Sequence, residues 1–373
     1  MSASTPGWPA GAAASPTIVG PLGLADRARR WWLRRLGRAG RVLVRHRELR
    51  VAMMFTAVVV TSLLGTLFAP LMLLALGPIV WGVPHVVSDI RYLVVRTGYG
   101  QRRPLWLLAG VPLLWDGLGG DLVWGFVGAA AVALVARTPL RRRLLAAASL
   151  LLCGAAFVSL GSLDEIVFGH LHNVFAVALW WMWRRRRQRL HWIPIVVLVM
   201  AMALLLSPLG LYLAREFGGM QRHPLLLGPT VQLWRLAPGL PPNLGLRLVL
   251  AFCLMQSVHY AMWLHMLPDE ARGRSTTMSF RASYRDLRRD LGLAAIVIAA
   301  IITAGIAAWS LLDIKMAGDG YFRMVRFHGL LEVMAGVLLV LERPARPRPV
   351  ESGQARRSAS GPAPREHRGR GRS

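Results

Sequence analysis

Two acid–imidazole pairs stand at helical spacing inside stretches that are otherwise apolar. In "GVPHVVSDIRYLVVR" His85 is followed four residues on by Asp89, and in "RMVRFHGLLEVMAG" His328 is followed four residues on by Glu332. Side chains four apart share one helix face. A carboxylate beside an imidazole either holds one ring nitrogen while the other binds a metal, or becomes a ligand itself, as in the di-iron helix bundles. The spacing allows both. For His85 the simpler expectation is that Asp89 fixes the tautomer and leaves the far nitrogen for an ion.

Histidine recurs on two further apolar stretches, as His170 and His172 in "DEIVFGHLHNVFAVALWW" and as His259 and His265 in "CLMQSVHYAMWLHMLPDE". Residues two apart on a helix point about 200° away from each other, so only one of His170 and His172 faces a common site. His259 and His265 diverge as well, and His259, with Gln256 one turn earlier, is the inward candidate. The candidate metal ligands are therefore His85, His170 or His172, His259 and His328, with Asp89, Glu332 and Gln256 as ligands or supports. His46, His191 and His367 lie in basic surface stretches and His223 in a loop, and none of them is given a role. Imidazole and carboxylate without thiolate suit iron, copper or zinc rather than calcium or magnesium. Cys153 and Cys253, the only two cysteines, sit in apolar runs and make neither a disulfide framework nor a Cys-based zinc site.

The elements that must position these residues are membrane helices. The chain has 373 residues and is 54% hydrophobic, too apolar for a soluble domain of this length. Runs such as "IPIVVLVMAMALLLSPLGL" approach the roughly 20 residues that cross a hydrocarbon core, where a helix is the element that pairs its own backbone. The pattern predicts an all-α, polytopic bundle of about ten spans, at 51–69, 71–95, 104–118, 120–137, 143–160, 164–183, 192–213, 246–266, 290–312 and 324–341. Residues 1–50 read as a Pro/Ala-rich lead and an Arg-rich interfacial helix, 51–342 as the bundle, and 343–373 as a disordered basic tail. The net charge of +27 gathers at span ends and in both tails. That is the positive-inside signature of cytoplasmic loops and termini in an inner or plasma membrane, and it lacks the base-reading face of a nucleic-acid binder. The loop at 214–245, the longest on the outer side, has the length of one that covers a site. Trp81, Trp180, Trp181 and Trp183 read as interfacial belt residues. No Walker-type loop, no G-x-S-x-G and no Cys–His pair occurs, so phosphoryl and acyl transfer have no residues to work with.

At Pro84, His85 and Asp89 the chain resembles the bacterial membrane β-carotene-cleaving dioxygenases of the Brp/Blh type, whose first signature is a Pro-His followed at helical spacing by an acid. His170 or His172 in "FGHLHNVF" would match that family's histidine beside phenylalanine, and His259, with His265, its late pair. The chain departs from the family at Val86, where glycine is usual, in the spacing of the late pair, and in the "FHGLLE" segment. The resemblance implies an O2-dependent iron enzyme acting on a carotenoid or another lipid-soluble substrate.

Ionisable groups inside lipid face the bundle interior and mark a function, and four spans carry them here. The expectation is thus a non-haem iron centre that oxidises or cleaves a hydrophobic substrate entering sideways from membrane lipid. Depth opens an alternative. By the predicted boundaries His85 and His259 lie deeper than His170, His172 and His328 by up to ~15 Å, and two layers of histidine pairs would describe a b-type haem electron carrier. A transporter or scaffold whose histidines only hydrogen-bond neighbouring helices is the third reading.

Overall fold

The structure, a computed structural model, describes residues 20–183, 189–221, 228–273 and 275–342. It is all-helical, with no strand among the described residues. Two amphipathic helices, α1 (Pro21–Arg35) and α2 (Gly37–Arg45), precede α3 (Arg47–Phe68). Next come α4 (Pro70–Asp89), α5 (Arg103–Leu108), α6 (Gly110–Gly117), α7 (Leu122–Leu134) and α8 (Leu140–Val158). The remainder is α9 (Asp164–Trp183), α10 (Trp192–Leu206), α11 (Pro208–Glu216), α12 (Pro229–Leu236), α13 (Pro242–Ala261), α14 (Leu267–Glu270), α15 (Phe280–Leu312) and α16 (Ile314–Glu342). Proline stands in the first turn of α1, α4, α5, α11, α12, α13 and α14, where its fixed φ starts a helix without losing a hydrogen bond.

Where the sequence predicts ten spans, six helices are long and apolar enough to cross a membrane, at 47–68, 70–95, 161–183, 242–270, 280–312 and 314–342. A seventh would be α10 with α11, bent by 79° where Ser207 leaves the helical region ahead of Pro208. The segment 104–118 divides at Ala109 into helices of 6 and 8 residues, and α7 has 13 residues, about 20 Å of rise. Helix α8 has 19 residues but opens on Arg141, Arg142 and Arg143. These segments pack on one another and on α16. The loop 214–245 carries α12, and its residues 222–227, with His223, lie outside the described residues, as do Arg274 and the tail at 343–373 with His367.

Burial identifies the middle of the bundle. In the 242–270 span 67% of the apolar window is buried, against 6% for 280–312, so α13 is central and α15 peripheral. Phe55, Trp180, Leu250, Leu254, Met262 and Trp263 form the main core between α3, α9 and α13. Trp180 is therefore no belt residue: it is fully buried, with its ring edge-on to Phe55 at 5.1 Å. The outward surface is apolar, as with Leu152, Leu311 and Trp106, which is the surface a lipid-facing bundle presents.

The arginine-bearing ends collect at one end of the bundle and are pinned by acids from distant segments. Arg50 Nε and Nη2 donate to Asp269 at 2.8 and 3.1 Å, and its Nη1 donates to the carbonyls of Leu43 and Val44 that end α2. Arg91 and Arg96 share Asp290 at 2.6 and 2.8 Å, and Arg102 pairs with Glu342 at 2.9 Å. Asp26 of α1 accepts from the backbone N–H of Phe280 and Arg281 and so caps α15, which fixes the amphipathic N-terminal helix to this end while Trp31 and Trp32 stay exposed. His191 belongs here too. Its ring is fully buried, 3.6 Å from Glu270 and against Trp180, rather than on the surface that its basic neighbours suggest.

The bidentate Arg50–Asp269 pair is buried on both sides, and removing one member leaves an uncompensated charge that costs about 3–5 kcal/mol. Asp269→Ala is expected to lower the melting temperature of the detergent-solubilised protein by several degrees, more than the same change at exposed Asp121, as read by a fluorescence melt.

Candidate metal centre

Four central helices each send an imidazole to one region. His85 comes from α4, His172 from α9, His259 from α13 and His328 from α16. Ring centroids lie 4.4 Å apart for His172–His328, 4.5 Å for His172–His259, 4.9 Å for His85–His328 and 5.2 Å for His85–His259. The two predicted depths converge because the helices of the shallower histidines start earlier than expected: α16 at Ile314, ten residues before the expected span, and the span of His172 at Gly161, three before it. His328 is therefore well inside its helix.

The carboxylates join the rings. Glu332 Oε2 is 3.4 Å from His172 Nδ1, its Oε1 is 3.7 Å from His259 Nε2, and Trp263 Nε1 donates to Oε1 at 2.7 Å. Asp89 does not hold His85. The Nδ1 of His85 donates to the Trp81 carbonyl at 3.1 Å, and since that oxygen can only accept, Nδ1 bears the proton of the neutral ring. Nε2 of His85 then carries the lone pair, and it faces His328 Nε2 at 3.2 Å. Asp89 is fully buried, and neither of its oxygens accepts a hydrogen bond within the described residues. One ligand atom from each of His172, His259, His328 and Glu332 falls in a group mutually within 4.8 Å, and so do those of His85, Asp89 and His328. Both groups are wholly buried and of a composition able to hold a metal ion.

His170 and Gln256 do not join the rings. As the helical geometry requires, His170 points away from His172: its Nε2 donates to the Leu236 carbonyl at 2.8 Å and its ring packs edge-on to Phe252. It anchors α12. Gln256 Nε2 donates to Tyr260 Oη at 3.1 Å, on the wall of the cavity described below. His265 is exposed on the outside of the bundle.

Local backbone geometry sets these positions. Pro78 and Pro84 lie inside α4, and directly after Asp89 the helix continues as a π-helix over Ile90–Val95. Likewise α13 gives way after Ala261 to a π-helix over Met262–Met266. Such widened turns concentrate at functional sites. Here they bring Trp263 to Glu332 and offer the Trp263 carbonyl to Ser88 Oγ–H at 2.6 Å, which ties α13 to α4. Two glycines allow close helix approach: a Cβ on Gly82 would stand 2.3 Å from the Tyr321 ring, and one on Gly329 2.8 Å from Phe168 and 3.0 Å from His172 Nδ1.

A cavity of about 500 Å³ extends from the imidazoles. Its walls are mostly apolar, with Leu122, Phe168, Leu236, Phe252 and Phe322, and Asn173, Gln256, Tyr260 and Tyr321 add polar groups. The rim is charged. Arg326 bonds the Gly120 carbonyl at 3.1 Å and Glu165 at 2.8 Å, with Asp116 at 3.5 Å, while Arg235 pairs with Asp319. The charged lining residues come from α6, α9, α12 and α16. From the 214–245 segment, helix α12 contributes Gln232, Arg235 and Leu236 to the cavity lining.

Sequence reasoning passes over Trp263, Tyr260, Tyr321 and Asn173. Trp263 had a signal, since it stands four residues after His259 and on its face. Tyr260, whose ring lies 4.7 Å from His85, is adjacent in sequence to His259 and has no spacing that announces it. Comparison of the chain with family models, with curated proteins and with solved structures finds no match in any of the three.

Outer partners of a metal site typically contribute 10–100-fold in metal affinity. Trp263→Phe, which removes the indole N–H donated to Glu332, is expected to weaken metal binding by about that factor without lowering the number of ions bound; chelator competition on the purified protein reads it.

Proposed function

We propose that this chain is a membrane-embedded, histidine- and carboxylate-ligated non-haem iron enzyme that oxidises or cleaves a lipid-soluble substrate, with a carotenoid as the leading candidate. One observation carries the reading: four imidazoles from four separate helices face a common point, with buried carboxylates among them. Desolvating such groups is expensive, and a cation in their midst offsets that cost. The donor set of nitrogen and oxygen without thiolate admits iron. Gathered on one level, the rings favour a non-haem ion over two haems, which need histidine pairs on separate levels. The cluster also speaks against a scaffold with scattered polar side chains.

In this reading His85, Asp89, His172, His259, His328 and Glu332 are the residues that would hold metal, and bound iron would supply the redox capacity for adding dioxygen across a carbon–carbon double bond to give two carbonyl products. The Trp81 carbonyl keeps the His85 proton on Nδ1, and Trp263 keeps Glu332 turned toward the rings. Phe168, Phe252 and Phe322 line the path of an apolar chain and keep water from it. Gln256 and Tyr260, bonded to each other on the cavity wall, orient any polar group at the reacting end. The membrane is an inner or plasma membrane, and the arginine-rich end, with both termini, faces the cytoplasm by the positive-inside rule.

The detergent-purified full-length protein is expected to contain iron and no Soret band, to lose most of the metal in His259→Ala, and to consume O2 when given β-carotene. A Soret band or the absence of any stoichiometric metal defeats the proposal, and the metal analysis and visible spectrum read both.

A further inference from the structure

The proposal above needs a bound ion; how many ions is a separate matter, and the arrangement of the donors bears on it. Donor atoms on a single ion, each at about 2.0–2.2 Å, lie within about 4.4 Å of one another. The six candidate residues do not all lie that close together. Their ligand atoms fall into two groups, each mutually within 4.8 Å, with His172, His259, His328 and Glu332 in one, His85, Asp89 and His328 in the other, and His328 common to both. We propose that the centre holds two transition-metal ions, one between α9, α13 and α16 and one between α4 and α16, with His328 facing both.

Three further features support the second ion. Asp89 is fully buried, and neither oxygen accepts a hydrogen bond from a described residue, although an isolated carboxylate in such a place is among the most costly groups a bundle can carry. An ion in the first set alone would leave it so. The His85 ring has its proton committed to the Trp81 carbonyl, so its lone pair is presented inward, toward His328. Two carboxylates match two divalent ions, one acid for each, and six residues shared between two ions, His328 standing in both groups, leave each ion coordination positions that a substrate or water can take. The chemistry of the second set, imidazole and carboxylate, again selects a first-row transition metal over calcium or magnesium.

Manganese(II) is the probe, because it binds such nitrogen and oxygen sites and reports by electron paramagnetic resonance. The full-length protein in detergent is stripped with chelator, loaded with manganese(II) and desalted, and bound metal is counted by mass spectrometry. Two ions per chain, with the six-line spectrum of isolated manganese replaced by that of an exchange-coupled pair, is the expected result. Asp89→Asn should then hold one ion and recover the isolated six-line signal, and His172→Gln should likewise drop from two ions to one; an unchanged elution profile shows that each variant is folded. A single ion in the unaltered protein overturns the two-ion proposal and leaves the metal enzyme standing. Two ions without magnetic coupling overturn it also, since the second then lies elsewhere. No ion at all removes the underlying reading as well.

Discussion

Everything in this bundle is arranged around the burial of six ionisable donors in a medium that solvates none of them. Asp89, His85, His259 and Glu332 have at most 1% of their surface exposed. Hydrogen bonds from outside the cluster, those of the Trp81 carbonyl and the Trp263 indole among them, orient it. A low-dielectric interior strengthens attraction to a cation and magnifies the cost of its absence by the same factor. The helices are held at the required spacing by glycine contacts at Gly82 and Gly329, by the Ser88–Trp263 tie, and by tight apolar packing along α13.

Two parts of the molecule divide the work. At one end Arg50, Arg91, Arg96 and Arg102 are each paired with an acid brought from a distant helix. These pairs clamp α3, α4, α15 and α16, and the clamp preserves the donor geometry deeper inside, as a preorganised site requires. Around the cavity charged side chains pair with one another, Arg326 with Glu165 and Arg235 with Asp319, and α12, which helps line it, has only 8 residues. His170 shows how one helix serves both purposes, since α9 places His172 in the cluster and, two residues earlier, His170 on α12, which helps line the cavity.

Much of the site was legible because helical spacing is strict. The pairing of His85 with Asp89 and of His328 with Glu332 on shared faces, and the opposition of His170 and His172, follow from 3.6 residues per turn and are what the structure contains. The role of Asp89 was not legible, because spacing says which groups are neighbours and not which hydrogen bond the ring prefers; the Trp81 carbonyl, one turn earlier, competes for the same proton. Span counting overreached where composition and length part company. Residues 104–118 are apolar enough to span, but Gly110 and Pro112 break the helix, and Ser207–Pro208 bends another by 79°. Burial of Trp180 and His191 depended on contacts between α3, α9 and α14, which local sequence does not encode.

The widened turns at Ile90–Val95 and Met262–Met266 give the molecule a register. Each accommodates an additional residue relative to an ordinary α-helix, and one residue is about 100° of rotation. Both lie between the donors and the clamped end: Asp89 precedes one and Arg96 follows it, and His259 precedes the other and Asp269 follows it. The angular offset between what the helix shows to the imidazole cluster and what it shows to the opposing salt bridges is thus written into the backbone as a residue count. A one-residue deletion in either turn would leave every donor and every arginine in place chemically, yet turn one set away from its partners.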